Sequence, residues 1–151
     1  LRLASIAPNV QFRLAGGGMD DLKDDVSHLS NVEVVGWVDV AADFVSECDI
    51  LINTSDVEGI SLSAMEALEL GVPVLTRDVG GMSELVTDGH NGLVYDSDDL
   101  GELARRLQDH SIVKSIIENA EADRLPARFS QRQMFETLKG VFERNEVRIE
   151  S

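Results

Sequence analysis

The 151-residue chain is long enough for one domain that buries about 70% of its unfolded surface. Hydrophobic residues at 43% and charged residues at 27% exclude a disordered chain, and no apolar run reaches membrane-spanning length. Twenty-eight acidic against thirteen basic residues leave a net charge of −15, a field that repels nucleic-acid backbones and anionic membrane surfaces alike.

Apolar, partly β-branched runs alternate with stretches of helical period, the pattern of a parallel sheet with crossover helices. The opening LRLASIAPN (1–9) reads as the last turn of a helix that stops at Pro8-Asn9, without the layout of a signal peptide. VQFRLAG (10–16) is a predicted strand ending in Gly16, Gly17 and Gly18; DLKDDVSHL (21–29) is a short polar helix and VEVVG (32–36) a second strand. In DVAADFVSEC (39–48), Val40, Phe44 and Val45 recur at helical spacing. The single cysteine, Cys48, reads as a small core residue; it excludes an internal disulfide and suits a reducing cytoplasm. DILINT (49–54) is a compact buried strand, and a loop over 55–60 leads to a helix at about 61–71. VPVLTR (72–77) is the next strand, with Pro73 at its start, followed by GGMSELVTDGHNG and the short strand LVY (93–95). Leu100, Leu103 and Leu107 mark a helix over 96–110, and two more helices are expected over 111–124 and 130–146.

Ligands gather at the carboxyl ends of the strands of such a sheet, where three loops qualify. Gly16–Gly18 let a ligand approach the backbone closely, although the loop lacks any P-loop or dinucleotide spacing and a plain turn explains it equally. In the second loop, Gly59 frees the backbone and Ser61 or Ser63 caps the following helix. With Ser61 as cap, Glu66 falls one turn in, on a row with Leu62 and Leu70, where an unpaired carboxylate carries a desolvation penalty. Either Glu66 reaches past the sheet to solvent, or it and Glu58 pair with sugar hydroxyls around a diphosphate held at the helix N-terminus. The third loop offers Gly80-Gly81, Ser83 and Glu84 as turn and capping residues, with turns at Asp88-Gly89 and Asn91-Gly92. Trp37, after the second strand, either stacks on a base or closes the sheet end. His28, His90 and His110 are scattered without ligand spacing, so no metal is expected, and no nucleophile elbow surrounds Ser61.

The stretch SDVEGISLSAMEALELGVPVLTRDVGGMSELVTDGHNGLVY resembles the C-terminal, donor-binding domain of retaining glycosyltransferases with the two-Rossmann-domain (GT-B) fold. That group includes bacterial mannosyl- and glucosyltransferases, sucrose synthase and glycogen synthase. Glu58 and Glu66 match its Glu–seven residues–Glu pair, GVPVL its strand and GGMSELVTDGHNGLV its turn; NVQFRLAGGG, VEVVGWV and CDILINTS extend the match along the chain. The resemblance implies a Rossmann-like α/β domain over 1–151 with helices on both sheet faces and a helical tail. It puts Glu58, as the catalytic residue, near the transferred sugar, Gly59, Ile60, Ser61 and Leu62 against sugar and diphosphate, and Glu66 on the ribose. Gly16, Gly17 and Gly18 then approach the phosphates, and Trp37 lies near the base.

The donor implied is a nucleoside diphosphate sugar, with no cofactor. A glycan or lipid-linked acceptor is bound by an N-terminal domain that these residues lack, and any membrane contact runs through that domain. The family's first strand, central in its sheet, and the Arg and Lys that neutralise the diphosphate are expected upstream of Leu1, so residues 1–151 alone should transfer no sugar. Ile60-Ser61 replaces the family's aromatic-Gly pair, which leaves the sugar's identity open. Two rival readings of the same pattern are a nucleotide-sugar epimerase and a noncatalytic nucleotide-binding or partner-binding module.

Overall fold

A computed structural model describes residues 1–19, 21–95 and 99–126 together with 129 and 133; apart from Gln133, the tail helix expected over 130–146 lies outside them. Strands and helices alternate as the periodicity predicts. Helix α1 (Arg2–Ile6) leads to β1 (Phe12–Ala15), α2 (Leu22–Val26), β2 (Val32–Gly36), α3 (Ala41–Ser46) and β3 (Leu51–Ile52). Then come α4 (Leu62–Glu69), β4 (Val74–Arg77), α5 (Met82–Leu85), β5 (Gly92–Tyr95), α6 (Leu100–Gln108) and α7 (His110–Asp123). Every ladder is parallel, as short apolar strands joined by crossover helices require.

The strands form two sheets, β1-β2 and β3-β4-β5. Phe12 of β1 and Ile52 of β3 contribute to one apolar cluster, yet no ladder joins their strands among the described residues. Strand β4 is central to its sheet and buried on both faces. Val74 packs into a cluster with Ala64, Ala67 and Leu68 of α4 and Met82 and Leu85 of α5. Leu75, the next residue, points the other way into Leu93, Leu103, Leu107 and Ile116 from β5, α6 and α7. Helices therefore cover both faces, and each buried Leu contributes about 1.5–3 kcal/mol.

Two expectations change. The predicted strand 49–54 shrinks to Leu51–Ile52, because a parallel ladder forms only on the β4 side: Leu51 donates to Pro73 and Asn53 to Leu75. The Asn53 carboxamide oxygen then accepts from the Ser55 N–H and turns the chain away. The larger correction concerns α4, whose core face is its small residues, Ala64 and Ala67, with Leu68. Leu62, at 72% exposure, Glu66 and Leu70 form the outward row. Alanines let α4 lie close on β4, so the row that reads as apolar in sequence faces solvent and Glu66 carries no burial penalty.

Candidate functional site

The carboxyl end of β3 feeds the loop that carries Glu58. This loop is open: Val57 is 89% exposed, Gly59 is exposed and Glu58 half-buried. It becomes ordered backbone at Ser61, which is buried and takes the extended conformation of a helix N-cap. The Ser61 hydroxyl oxygen accepts from the Ala64 N–H at 3.4 Å, and the hydroxyls of Ser61 and Ser63 lie 2.9 Å apart. Of the two serines weighed as cap, Ser61 fills the role. Helix α4 thus presents its first turn, with its partial positive charge, directly after the loop, and the N–H groups of Leu62 and Ser63 have no acceptor among the described residues.

Glu66 stands one turn inside α4 on the exposed row. Neither its carboxylate nor that of Glu58 has a hydrogen-bond or ion-pair partner among the described residues, in a molecule where Glu33, Glu47 and Glu102 each hold an arginine. The helix ends where Gly71 adopts a left-handed φ of +83°, and Arg124 donates from its guanidinium to the Glu69 carbonyl at 2.8 Å.

The loop leaving β4 lies against this one. Gly81 donates its N–H to the Gly59 carbonyl at 2.6 Å, and Arg77 pairs with Asp56. Gly81 precedes α5 as a cap without side chain; Ser83 lies inside that helix and supplies no capping bond. The third loop's other polar residues are structural. Asn91 is buried, accepts from the Thr87 N–H at 2.7 Å and donates to the Leu85 carbonyl; Asp88 accepts from Val94 and from Arg106. A cavity of about 330 Å³ opens at the ends of β4 and β5, lined by Arg77, Asp78, Val94 and Tyr95. Burial pushes the Tyr95 phenol up, against the opposing pull of Arg77. None of the residues expected to bind a donor lines it.

In the other sheet, Gly16 and Gly18 have φ of +139° and +74° and bend the loop after β1. The Trp37 ring, 76% exposed beyond β2, lies beside Gly17: a Cβ on Gly17 would stand 3.7 Å from Cε3 of the indole. Trp37 therefore does not seal the sheet end by burial, and its ring stands as an exposed surface beside Gly17. Gly17 and Trp37 form one group, and Glu58–Leu62 with Gly80-Gly81 a second. No hydrogen bond among the described residues joins the groups. Cys48, expected in the core, is half-buried and donates its thiol to the Phe44 carbonyl. The contact of Gly80-Gly81 with residues 58–60 escaped the sequence reading, which sees a Gly-Gly turn but not what lies over it.

Comparison with known proteins places these elements in context. A family profile described as "Glycosyl transferases group 1" matches residues 2–110. An uncharacterised glycosyltransferase of Methanocaldococcus jannaschii is 32% identical over 83 residues, which are 54% of this chain and 24% of that protein. Poly(glycerol-phosphate) alpha-glucosyltransferase of Bacillus subtilis is 34% identical over 123 residues, 75% of this chain and 18% of its own length. The crystal structure of HepE from Anabaena in complex with UDP superposes with a TM-score of 0.71 at 28% identity, over 91% of this chain and 43% of that one. TarM matches with a TM-score of 0.74 at 20% identity over 93% of this chain and 32% of that one, a likeness of fold. The chain spans about a quarter or less of these two curated relatives, and no described helix is long and apolar enough to cross a membrane.

Proposed function

The chain belongs to the glycosyl transferases group 1 family, and from that premise we propose that residues 1–151 are the donor-binding domain of a retaining GT-B enzyme. The whole enzyme moves a sugar from a nucleoside diphosphate sugar to an acceptor hydroxyl and keeps the anomeric configuration. The observation that carries the reading is the pair of carboxylates, Glu58 and Glu66, that stand on either side of the first turn of α4 without a partner among the described residues. Supporting it, HepE has been crystallised with UDP and, at 25% identity to this chain, with UDP-glucose.

In this reading each group has a separate task. The free N–H groups of Leu62 and Ser63 and the positive end of α4 hold the diphosphate, and Gly16, Gly17 and Gly18 approach it from the other sheet. Glu66 accepts from the ribose hydroxyls, which is why an outward position suits it: the hydroxyls replace water rather than a buried partner. Glu58 accepts from hydroxyls of the sugar, with Gly59, Ile60 and Ser61 as its backbone wall, and Trp37 offers its exposed face to the base. A chain of net charge −15 needs added positive charge to stabilise a leaving diphosphate. Upstream polypeptide supplies it as an Arg and a Lys, together with a strand beside β1 and β3 and the domain that binds a glycan or lipid-linked acceptor. No metal or other cofactor enters the scheme, and residues 1–151 alone transfer no sugar.

Two substitutions in the complete enzyme test the assignment. Contacts made by Glu58 strengthen as the anomeric carbon departs, so Glu58→Gln should lower turnover about a hundredfold and leave nucleoside diphosphate affinity unchanged. Glu66→Ala should weaken that affinity by roughly 1.5–3 kcal/mol, the range for a charged hydrogen bond, without loss of stability. Parent-like turnover of Glu58→Gln, or parent-like calorimetric affinity of Glu66→Ala, sinks the corresponding role.

A further inference from the structure

The loop that carries Glu58 has little core of its own. Val57 and Gly59 are exposed, the Asp56 side chain is 85% exposed, and only Ile60 packs inward. The turn after β4 is anchored differently, because Met82 and Leu85 of α5 are wholly buried beneath it. Three contacts run from the anchored turn to the open loop. Arg77 pairs with Asp56, and the Gly81 N–H donates to the Gly59 carbonyl at 2.6 Å. Gly80 lies so close that a Cβ there would stand 1.8 Å from the Glu58 carbonyl oxygen. On Gly81, a Cβ would stand 2.7 Å from Cγ1 of Ile60 and 3.0 Å from the Gly59 oxygen.

We propose that the turn Arg77–Gly81 is the positioning element of the sugar-facing loop, and that Gly81, and Gly80 beyond what its left-handed φ of +57° already requires, lack side chains so that residues 58–60 can rest on them. The inference rests on the assignment of Glu58 to the sugar. It adds that the place of Glu58 is set from outside its own loop, by Arg77, Gly80 and Gly81. A rigid support has a consequence for the chemistry. A misplacement of about 1 Å at a reacting group costs up to roughly a hundredfold in rate, while affinity for the nucleotide, held at α4, is untouched. Arg77 serves by its bond to Asp56; with that carboxylate engaged, its charge is not spent on Glu58.

The test uses the complete enzyme with whichever of UDP-, GDP- and ADP-glucose or -mannose the parent turns over. Gly81→Ala should lower turnover about a hundredfold with nucleoside diphosphate affinity held within about twofold. Adding Ile60→Ala removes the atoms nearest the new methyl, so the double variant should turn over about tenfold faster than Gly81→Ala alone. Should Gly81→Ala fail to fold, Arg77→Met breaks the outer contact without entering the core, and Arg77→Lys should restore part of the rate it loses. Parent-like turnover in Gly81→Ala or Arg77→Met, or a Gly81→Ala loss that Ile60→Ala does not relieve, overturns the proposal. Glu58→Gln measured in parallel separates the two ideas. If it turns over normally, the sugar assignment falls; if it is slow while the turn variants are not, only the positioning role falls.

Discussion

Glycines do opposite work in the two sheets. In the β3-β4-β5 half, Gly80, Gly81 and Gly92, unlike the open Gly59, are places where another segment presses on the backbone: a Cβ on Gly80 would meet the Glu58 carbonyl, and one on Gly92 would stand 2.0 Å from the Val74 oxygen and 2.7 Å from Cγ1 of Val86. In the β1-β2 half, Gly18 and Gly36 have nothing within 4 Å of a built Cβ, and Gly17 has only the exposed indole of Trp37. The first half is crowded and positions side chains. The second is open at its strand ends and offers backbone. A donor that is bound through carboxylates on one side and N–H groups on the other needs both kinds of surface.

The largest effect should come from breaking the crowded half. Gly92 begins β5 in register with Val74, and a methyl there enters the neighbouring strand's backbone, which cannot swing aside as a side chain can. Gly92→Ala should lower unfolding stability by about 3 kcal/mol, the upper end for overpacking. Urea unfolding with the slope compared as well as the midpoint gives the answer. A variant within about 1 kcal/mol of the parent would mean that the strands slide apart easily and the contrast between the halves is false.

The β1-β2 half is held by a different device. Asn31, buried ahead of β2, donates from its carboxamide to the carbonyls of Ala4, Ala7 and Val10 at 3.0–3.1 Å, and its own carbonyl accepts from Phe12. One side chain therefore ties the end of α1 to the start of β1. Asn31→Ala should cost about 2 kcal/mol by leaving those carbonyls without their donor. Asn31→Asp keeps the shape but puts oxygen against oxygen, so it should be at least as damaging. If Asp is tolerated and Ala is not, packing rather than hydrogen bonding holds this half.

How much of this was readable beforehand follows from whether the information is local. Strand and helix alternation and a serine cap at 61 or 63 lie within a few residues of their cause, and the local pattern exposes them. Strand β3 was overestimated because its length depends on a ladder with β4 more than twenty residues away. Helix α4 was turned the wrong way because size, not hydrophobicity, decides which face lies on a crowded sheet; Ala64 and Ala67 yield the room that Leu62 and Leu70 would fill. The pattern raised the carboxylate pair as one of two readings, and the family resemblance is what favoured it. The seat of residues 58–60 on Gly80-Gly81 was not legible at all, since a glycine in sequence does not say whether it is there for its φ or for its missing Cβ.

That same ambiguity makes Gly17 the finest probe of the comparison. Its φ lies outside the left-handed region that Gly16 and Gly18 occupy, and an added Cβ would meet Trp37 at 3.7 Å, ordinary contact distance. The fold therefore has no objection to alanine here; loss of unfolded-state entropy should even stabilise Gly17→Ala by a few tenths of a kcal/mol, up to about 1. Gly16→Ala and Gly18→Ala would not serve, because strain at a positive φ would mix with any effect on a ligand. If the loop's backbone approaches the diphosphate, the new methyl stands between them, and whichever of UDP, GDP and ADP the parent binds should bind about tenfold more weakly, roughly 1.4 kcal/mol. Calorimetry and thermal unfolding on one preparation separate the two quantities. Weaker nucleoside diphosphate binding in a protein no less stable than the parent means that this glycine is kept for a ligand and not for the chain. Unchanged affinity removes loop 16–18 from the phosphate site and leaves Trp37 as the open half's remaining contact with the donor.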